Sequence, residues 1–290
     1  MSTISTLRKL ALGGALALGL AQGPALAQAP AVVEAARAAL PAPVRDSGTL
    51  KVATSLQWAP FAYMSEKNEP IGFDLDLMRL LSAKLGLKFE LEDMKFPSIV
   101  PGVSSGRFQA GVNQLSLTPE RLNAADMIPY FDTTSVVIVQ KGKTVKDIAN
   151  MCGMTFVVTQ GSVQVRQLNE LSEACVARKA APITQQLYPS SAETLLAVAN
   201  GRGDAFLTAA PQGVYIARIN PRIDLVPGDV PGVTRTPAGI VIEKGNKAMA
   251  KAIALALLSA MEDGSYQQLL DKYGVSTSGV SADLVRKFAQ

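Results

Sequence analysis

The run Asn113-Gln114-Leu115-Ser116-Leu117-Thr118-Pro119-Glu120-Arg121 decides how this chain reads. Just before it, Phe108-Gln109-Ala110-Gly111-Val112 has the composition of a strand feeding a turn. Ser116, Thr118 and Arg121 then sit where that strand end gives way to a short helix. Hydroxyls, free backbone N–H groups and one guanidinium are thereby brought together, which is what a small carboxylate needs.

Working outward, the run belongs to an ordered series. Trp58-Ala59-Pro60-Phe61 comes first, then Gly72-Phe73-Asp74-Leu75-Asp76-Leu77, then Phe96-Pro97-Ser98-Ile99-Val100-Pro101; Pro129-Tyr130-Phe131 closes it. In this order and at these spacings the series resembles the periplasmic solute-binding proteins of ABC importers, in particular the polar amino acid-binding family (bacterial extracellular solute-binding proteins, family 3). The resemblance runs from about Gly48 to Tyr273.

Strands alternate with helices along the chain. Leu50 to Thr54, Lys88 to Leu91, Ser135 to Val139, Thr155 to Val158, Ala205 to Thr208 and Gly239 to Ile242 read as strands. The stripe Leu75, Leu77, Met78, Leu81, Leu85 makes Asp74 to Leu87 a helix; further helices are expected at 97–105, 163–171, 192–200, 246–261 and 266–273. That alternation implies an α/β fold with mainly parallel sheets. The resemblance adds what periodicity does not: a two-lobed, type II periplasmic binding protein-like architecture joined by two crossover strands. Lobe 1 is expected over 48–132 plus 241–290, and lobe 2 over 138–236.

The N-terminus speaks to compartment. Arg8 and Lys9 precede an apolar run, Leu10 to Ala21, and Pro24-Ala25-Leu26-Ala27 supplies a small-residue cleavage site. This reads as a secretory signal peptide over 1–27, too short for a membrane anchor and lacking basic stop-transfer flanks. No Cys lies near the cleavage site, so lipid attachment there is not expected. Residues 28–47, rich in Ala and Pro, are expected as a flexible leader with a helix from Val32 to Leu40. A soluble periplasmic protein follows. Removing Arg8 and Lys9 takes the formal charge from +4 to +2, because no acid lies in that segment. Such a balance, without a dense basic tract, argues against nucleic acid as a partner.

Cys152 and Cys175 are the only cysteines and there is no His. Two thiols alone do not complete a zinc shell, so in an oxidising compartment a disulfide is expected and no metal, the alternative being two reduced buried thiols. The pair lacks the Cys-x-x-Cys spacing of redox sites, so its role is read as structural.

Residues that follow strand ends converge on one cleft in open α/β sheets. The resemblance implies that Arg121 forks onto a ligand carboxylate, with Ser116 and Ser162 adding a hydroxyl from each lobe and Trp58 stacking over the ligand. Trp58 reads alternatively as a core residue beside Pro60-Phe61. Thr118, Phe96, Asn113, Gln114 and Gln164 complete the expected binding set, whereas Phe73 reads as core and Asp76 as a helix-face acid. The resembled family places an Asp, five residues after the counterpart of Asp204, on the ligand's α-ammonium. Here Ala209 stands at that place, so either the ligand lacks an α-amino group or another acid, such as Asp132, substitutes.

The implied function is capture of an amino acid or related small carboxylate by lobe closure, and its delivery to a membrane permease. No cofactor is expected, and the protein is expected to be a monomer. An enzyme on the same fold is the rival reading. Without His, a Ser-His-Asp triad and His acid–base chemistry are excluded. A periplasmic sensor acting through a partner is the third reading.

Overall fold

The computed structural model describes residues 30–290; the signal peptide expected over 1–27 lies outside them. No helix among the described residues is long and apolar enough to cross a membrane.

In chain order the strands are β1 (Thr49–Thr54), β2 (Gln57–Trp58), β3 (Ala62–Met64), β4 (Pro70–Ile71), β5 (Lys88–Asp93), β6 (Ala110–Gly111) and β7 (Ala125–Thr133). After these come β8 (Ser135–Gln140), β9 (Thr155–Thr159), β10 (Thr184–Tyr188), β11 (Ala205–Ala209), β12 (Ile223–Leu225) and β13 (Thr236–Glu243). One five-stranded sheet has the order β5-β1-β6-β13-β7, a second has the order β10-β9-β11-β8-β12, and β2, β3 and β4 form a small meander. The first sheet thus draws on two separated parts of the chain, while the second is built from the stretch between them. Passage from β7 to β8 takes a single residue, Thr134.

Both large sheets are mainly parallel, in line with expectation, but one strand in each, β13 and β8, runs against the other four. β1 runs parallel to β5 and β6, but β13 is antiparallel to β6 and β7; β9 is parallel to β10 and β11, but β8 is antiparallel to β11 and β12. The cause is the path of the chain. β7 leaves lobe 1 and β13 brings the chain back, so the two long connectors run in opposite senses and pair from Thr236–Thr133 to Glu243–Ala125. A bulge between Ala238 and Gly239 interrupts that pairing. A Cβ on Gly239 would stand 2.8 Å from Leu117 Cδ1 and 3.0 Å from Met127 Cβ, so a larger residue would force the Leu117 side chain to move.

Each sheet is covered by helices on both faces. In lobe 1 one face packs Val52, Ile240 and Ile242 against the helices Phe73–Lys84 and Lys247–Glu262, and the other packs Ala53, Val241 and Met127 against Ile99, Val103 and Phe108. In lobe 2 strict alternation along β9 sends Phe156 and Val158 to one core and Val157 to the other.

The flexible leader expected over 28–47 is not what the described part of it forms. Helices Glu34–Ala39 and Ala42–Ser47 cap lobe 1, with Ala36 and Leu40 buried among its core residues. Val33 N–H donates to the Lys84 carbonyl at 2.7 Å, and Arg37 Nη1 donates to the Gly86 carbonyl at 2.7 Å. An Ala-rich stretch is a poor membrane or linker signal when its small side chains fit against a helix, and here they do. Other elements carried no clear sequence signal. β7 contains Pro129 and two acids, and β10 opens on the polar run Thr184-Gln185-Gln186.

Cys152 and Cys175 are joined by a disulfide. It ties the loop before β9 to the last turn of the helix Val163–Ala177, at the end far from that helix's N-terminus.

Candidate functional site

Between the lobes lies a small cavity walled from lobe 1 by Trp58, Phe96, Gln114, Ser116 and Arg121, and from lobe 2 by Ser135, Ser162, Val163, Gln164, Gln167 and Ala209. The connector residues Thr133, Thr134 and Thr236 close its floor. Its volume is about 20 Å³, room for about one water. A hollow of about 30 Å³ also lies between the lobes, on the other side of Trp58 and Phe96; the much larger one of about 540 Å³ beside the disulfide is walled by lobe 2 alone.

Arg121 reaches the seam because of the helix that carries it. Thr118 caps that helix, Pro119–Ala124, by accepting the Arg121 N–H at 3.3 Å, and Pro119 fills the first helical position where no N–H is needed. The guanidinium then bridges the lobes: Nη1 donates to the Ser116 carbonyl at 2.9 Å and Nη2 to the Gly161 carbonyl at 2.8 Å. It lies 5.6 Å from the Phe96 ring centroid. Among the described residues it forms no salt bridge. Burial lowers its pKa to about 10, with Glu120 acting weakly in the opposite direction; at neutral pH it remains charged. A half-buried cation satisfied only by carbonyls is a site prepared for an anion.

The aromatic wall is built by stacking. Trp58 and Phe96 lie 5.8 Å apart at 11°, and Trp58 Nε1 donates to Gln114 Oε1 at 3.1 Å. Both readings of Trp58 therefore hold in part: it is 5% exposed, yet its ring forms cavity wall.

Gln114 adopts a left-handed backbone (φ 47°), uncommon for a residue with a side chain. A buried acid holds it there. Gln114 N–H points at Asp74 Oδ2 (2.9 Å) and at the Tyr130 hydroxyl oxygen (3.0 Å), and Tyr130 donates to Asp74 Oδ1 at 2.6 Å. Asp74 has no exposure, and burial raises its pKa to about 7 against the lowering effect of the Tyr130 and Gln114 bonds. Sequence reading missed this triad. Its members are 40 and 16 residues from Gln114, and no local pattern links them.

Lobe 2 contributes hydrogen bonding and no charge. Ser162 is the residue before the helix Val163–Ala177, and its buried Oγ has no partner, although a residue there ordinarily caps the helix. Its hydroxyl and the first helical N–H groups face the cavity region, where the helix dipole favours negative charge. Behind them Gln164 Nε2 donates to Ser135 Oγ at 3.0 Å, and Ser135 Oγ donates to Gln167 Oε1 at 2.7 Å.

Two residues expected to bind ligand do not wall this cavity. Thr118 spends its hydroxyl on the helix cap. Asn113 points instead toward a neighbouring hollow of about 30 Å³; its Nδ2 is held by Thr54 Oγ1 (3.1 Å) and the Ser55 carbonyl (2.9 Å), and its Oδ1 is buried without a partner. The left-handed turn at Gln114 redirects the chain there, and Asn113 stays bound to the end of β1 through Thr54 and Ser55. Asp132 does not substitute for the missing acid either. Its Oδ2 pairs with Arg235 Nε at 2.8 Å, its Oδ1 is buried without a partner, and the residue lies outside the cavity wall. Asp204 accepts the Thr155 N–H at 2.8 Å, and Asp76 is held by Lys272, Tyr273 and Arg79. Phe73 is core, stacked on Tyr130. Residues that sequence reading overlooked are Thr133, Thr134, Ser135, Gln167 and Thr236. A Thr-Thr-Ser run closing an apolar strand was the available signal.

Two α/β lobes joined by paired connectors, with a polar cavity at their seam, define a two-lobed binding fold. The chain matches the model of the bacterial extracellular solute-binding proteins, family 3, over residues 50–276, and belongs to that family. It is similar to the arginine-binding protein ArgT of Corynebacterium glutamicum, with 25% identity over 87% of this chain and 82% of that protein. A probable histidine-binding protein of Neisseria gonorrhoeae is 26% identical over 83% of this chain and 89% of that protein. Among solved structures, an ancestral arginine-binding protein bound to arginine superposes with a TM-score of 0.69 at 27% identity, covering 78% of this chain and 98% of that one.

Proposed function

We propose that this protein is the substrate-binding component of an ABC importer, capturing a small carboxylate-bearing solute, an amino acid or a near relative, and presenting it to a membrane permease. The observation that carries this reading is Arg121: a cation at the seam of the lobes, paired with no acid among the described residues and facing the hydroxyl and helix N-terminus of Ser162. The relatives named for arginine and histidine binding point to the same solute class, and the secretory signal read in residues 1–27 suits a periplasmic carrier. A cavity of about 20 Å³ admits no amino acid, so uptake requires the lobes to part and close again about the β7–β8 and β12–β13 connections. Ligand contacts made by both lobes favour the closed state through their differential affinity.

Trp58 is the only tryptophan in the chain and forms cavity wall, so intrinsic fluorescence reports on the site directly. Titration with L-amino acids and small carboxylates is expected to change its emission saturably, with a matching rise in Tm. No saturable response to any carboxylate, by fluorescence or by Tm, would sink the reading.

A further inference from the structure

The charges in the cavity wall restrict the ligand further, an inference that rests on the cavity being the solute site. Arg121 is the single charged side chain in that wall; no carboxylate lines it. The acids beside cavity-wall residues do not reach it: Glu120, next to Arg121, lies outside the wall. Asp74 is sealed beneath Gln114 by Tyr130, and Asp132 is paired with Arg235 through Oδ2 and lies outside the wall, its Oδ1 buried without a partner. At the end of β11, where the chain enters the helix Ala210–Ile219, Ala209 presents only a methyl group.

The neutral groups lean the same way. An indole N–H only donates, so the Trp58 bond fixes the Gln114 amide with Oε1 toward the indole and Nε2 elsewhere. That Nε2 is buried without a partner: an orphaned donor, calling for an acceptor. Gln167 Oε1 is already taken by Ser135. The groups that only donate are Gln114 Nε2, the helix N–H groups and the Arg121 fork once it releases Gly161, while the Ser116 and Ser162 hydroxyls and the freed Gly161 carbonyl can accept, none of them with a negative charge. An α-ammonium brought here would lose its hydration, find no carboxylate and sit beside a guanidinium.

We propose that the ligand is a small organic acid that carries acceptor oxygens and no ammonium, of which 2-oxo and 2-hydroxy acids are the simplest. The carboxylate lies on Arg121 and Ser162, and the oxo or hydroxyl oxygen accepts from Gln114 Nε2.

Calorimetry on the purified protein tests this with matched probes: L-alanine against pyruvate and lactate, L-leucine against its 2-oxo and 2-hydroxy analogues, L-glutamate against 2-oxoglutarate, and L-arginine. The expected result is that the tightest ligand is an oxo or hydroxy acid, at least tenfold tighter than its amino counterpart. Ala209→Asp should narrow or invert that ratio, and Arg121→Ala and Arg121→Lys should weaken every carboxylate. An amino acid bound as tightly as its oxo counterpart, or more tightly, overturns the inference; if Arg121→Ala still abolishes that binding, the carboxylate site itself stands. Failure of every carboxylate to bind wild type overturns the inference and the solute reading together.

Discussion

The two lobes share an architecture but face the cavity with different chemistry. Lobe 1 supplies the only charge, both aromatic rings and a strained glutamine held by a buried acid. Lobe 2 supplies hydroxyls, amides and a helix N-terminus, with no charge and no ring. Their supports differ too. Lobe 1 positions its residues by burial: Phe61, Phe73, Tyr130 and Phe131 form one aromatic cluster around Asp74, closed by helices from both ends of the described chain. Lobe 2 has two smaller cores and a covalent tie between Cys152 and Cys175. The division teaches that selection and closure need not be made by the same surface. In the proposed reading, one lobe would hold an anion by charge and stacking, and the other would add directional bonds as the cleft shuts.

The largest effect is expected on lobe 1. Arg121→Ala should weaken carboxylate binding by about 4 kcal/mol, since truncating one partner of a buried charge pair leaves the other unpaired; Arg121→Lys should recover only part of this, lacking the planar fork. Calorimetry measures both, and a loss below tenfold would mean that lobe 1 does not hold the anion.

The next effect separates stability from binding in lobe 2. Replacing Cys152 and Cys175 by Ser should lower unfolding stability by about 3 kcal/mol, the loop-entropy scale for a segment of this length. Affinity should change little, because the bridge lies at the far end of the helix from Ser162. Denaturation and calorimetry on the double variant check the split; a large affinity loss would show that the tie also positions Ser162.

A third test uses pH. The folded-state pKa of Asp74, raised to about 7 by burial, exceeds the ordinary carboxylate value. Between about pH 4 and pH 7 the folded state therefore holds a proton that the unfolded state has lost. Stability from this group is present at low pH and declines as pH rises through that window, by at most about 1.4 kcal/mol per unit. Asp74→Asn should flatten that decline in urea midpoints measured across the window. An unchanged slope would mean that Asp74 is ionised throughout.

The smallest expected effect is in lobe 2 again. Ser162→Ala removes one hydroxyl from the closed cleft and should cost about 1 kcal/mol of binding, with folding nearly unchanged because Ser162 makes no side-chain cap. A loss rivalling that of Arg121→Ala would erase the proposed division between the lobes.

Much of this was legible in local pattern. The helix starting at Pro119, the turn at Gly161 and the strand ends at Gln114 and Ala209 all carry residue types whose backbone preferences act over a few positions, and six of the expected binding residues besides Arg121 reach the cavity wall. The failures were of direction and distance. Thr118 and Asn113 sit within the right segments but point elsewhere. Ser135 and Gln167 belong to a chain of bonds between segments 29 to 32 residues apart.

By itself, then, the sequence determined the α/β class, the presence of a charged Arg121 after a strand end and the Ala at position 209, because composition, periodicity and the identity of a charged side chain are local quantities. The tertiary structure alone decided that the sheets are mixed, that residues 33–47 cap lobe 1, and that Asp74 braces Gln114 through Tyr130. Each of these depends on which distant segments meet when apolar faces are buried, and a pairing between strands or a bond across 40 residues leaves no trace in the spacing of either partner.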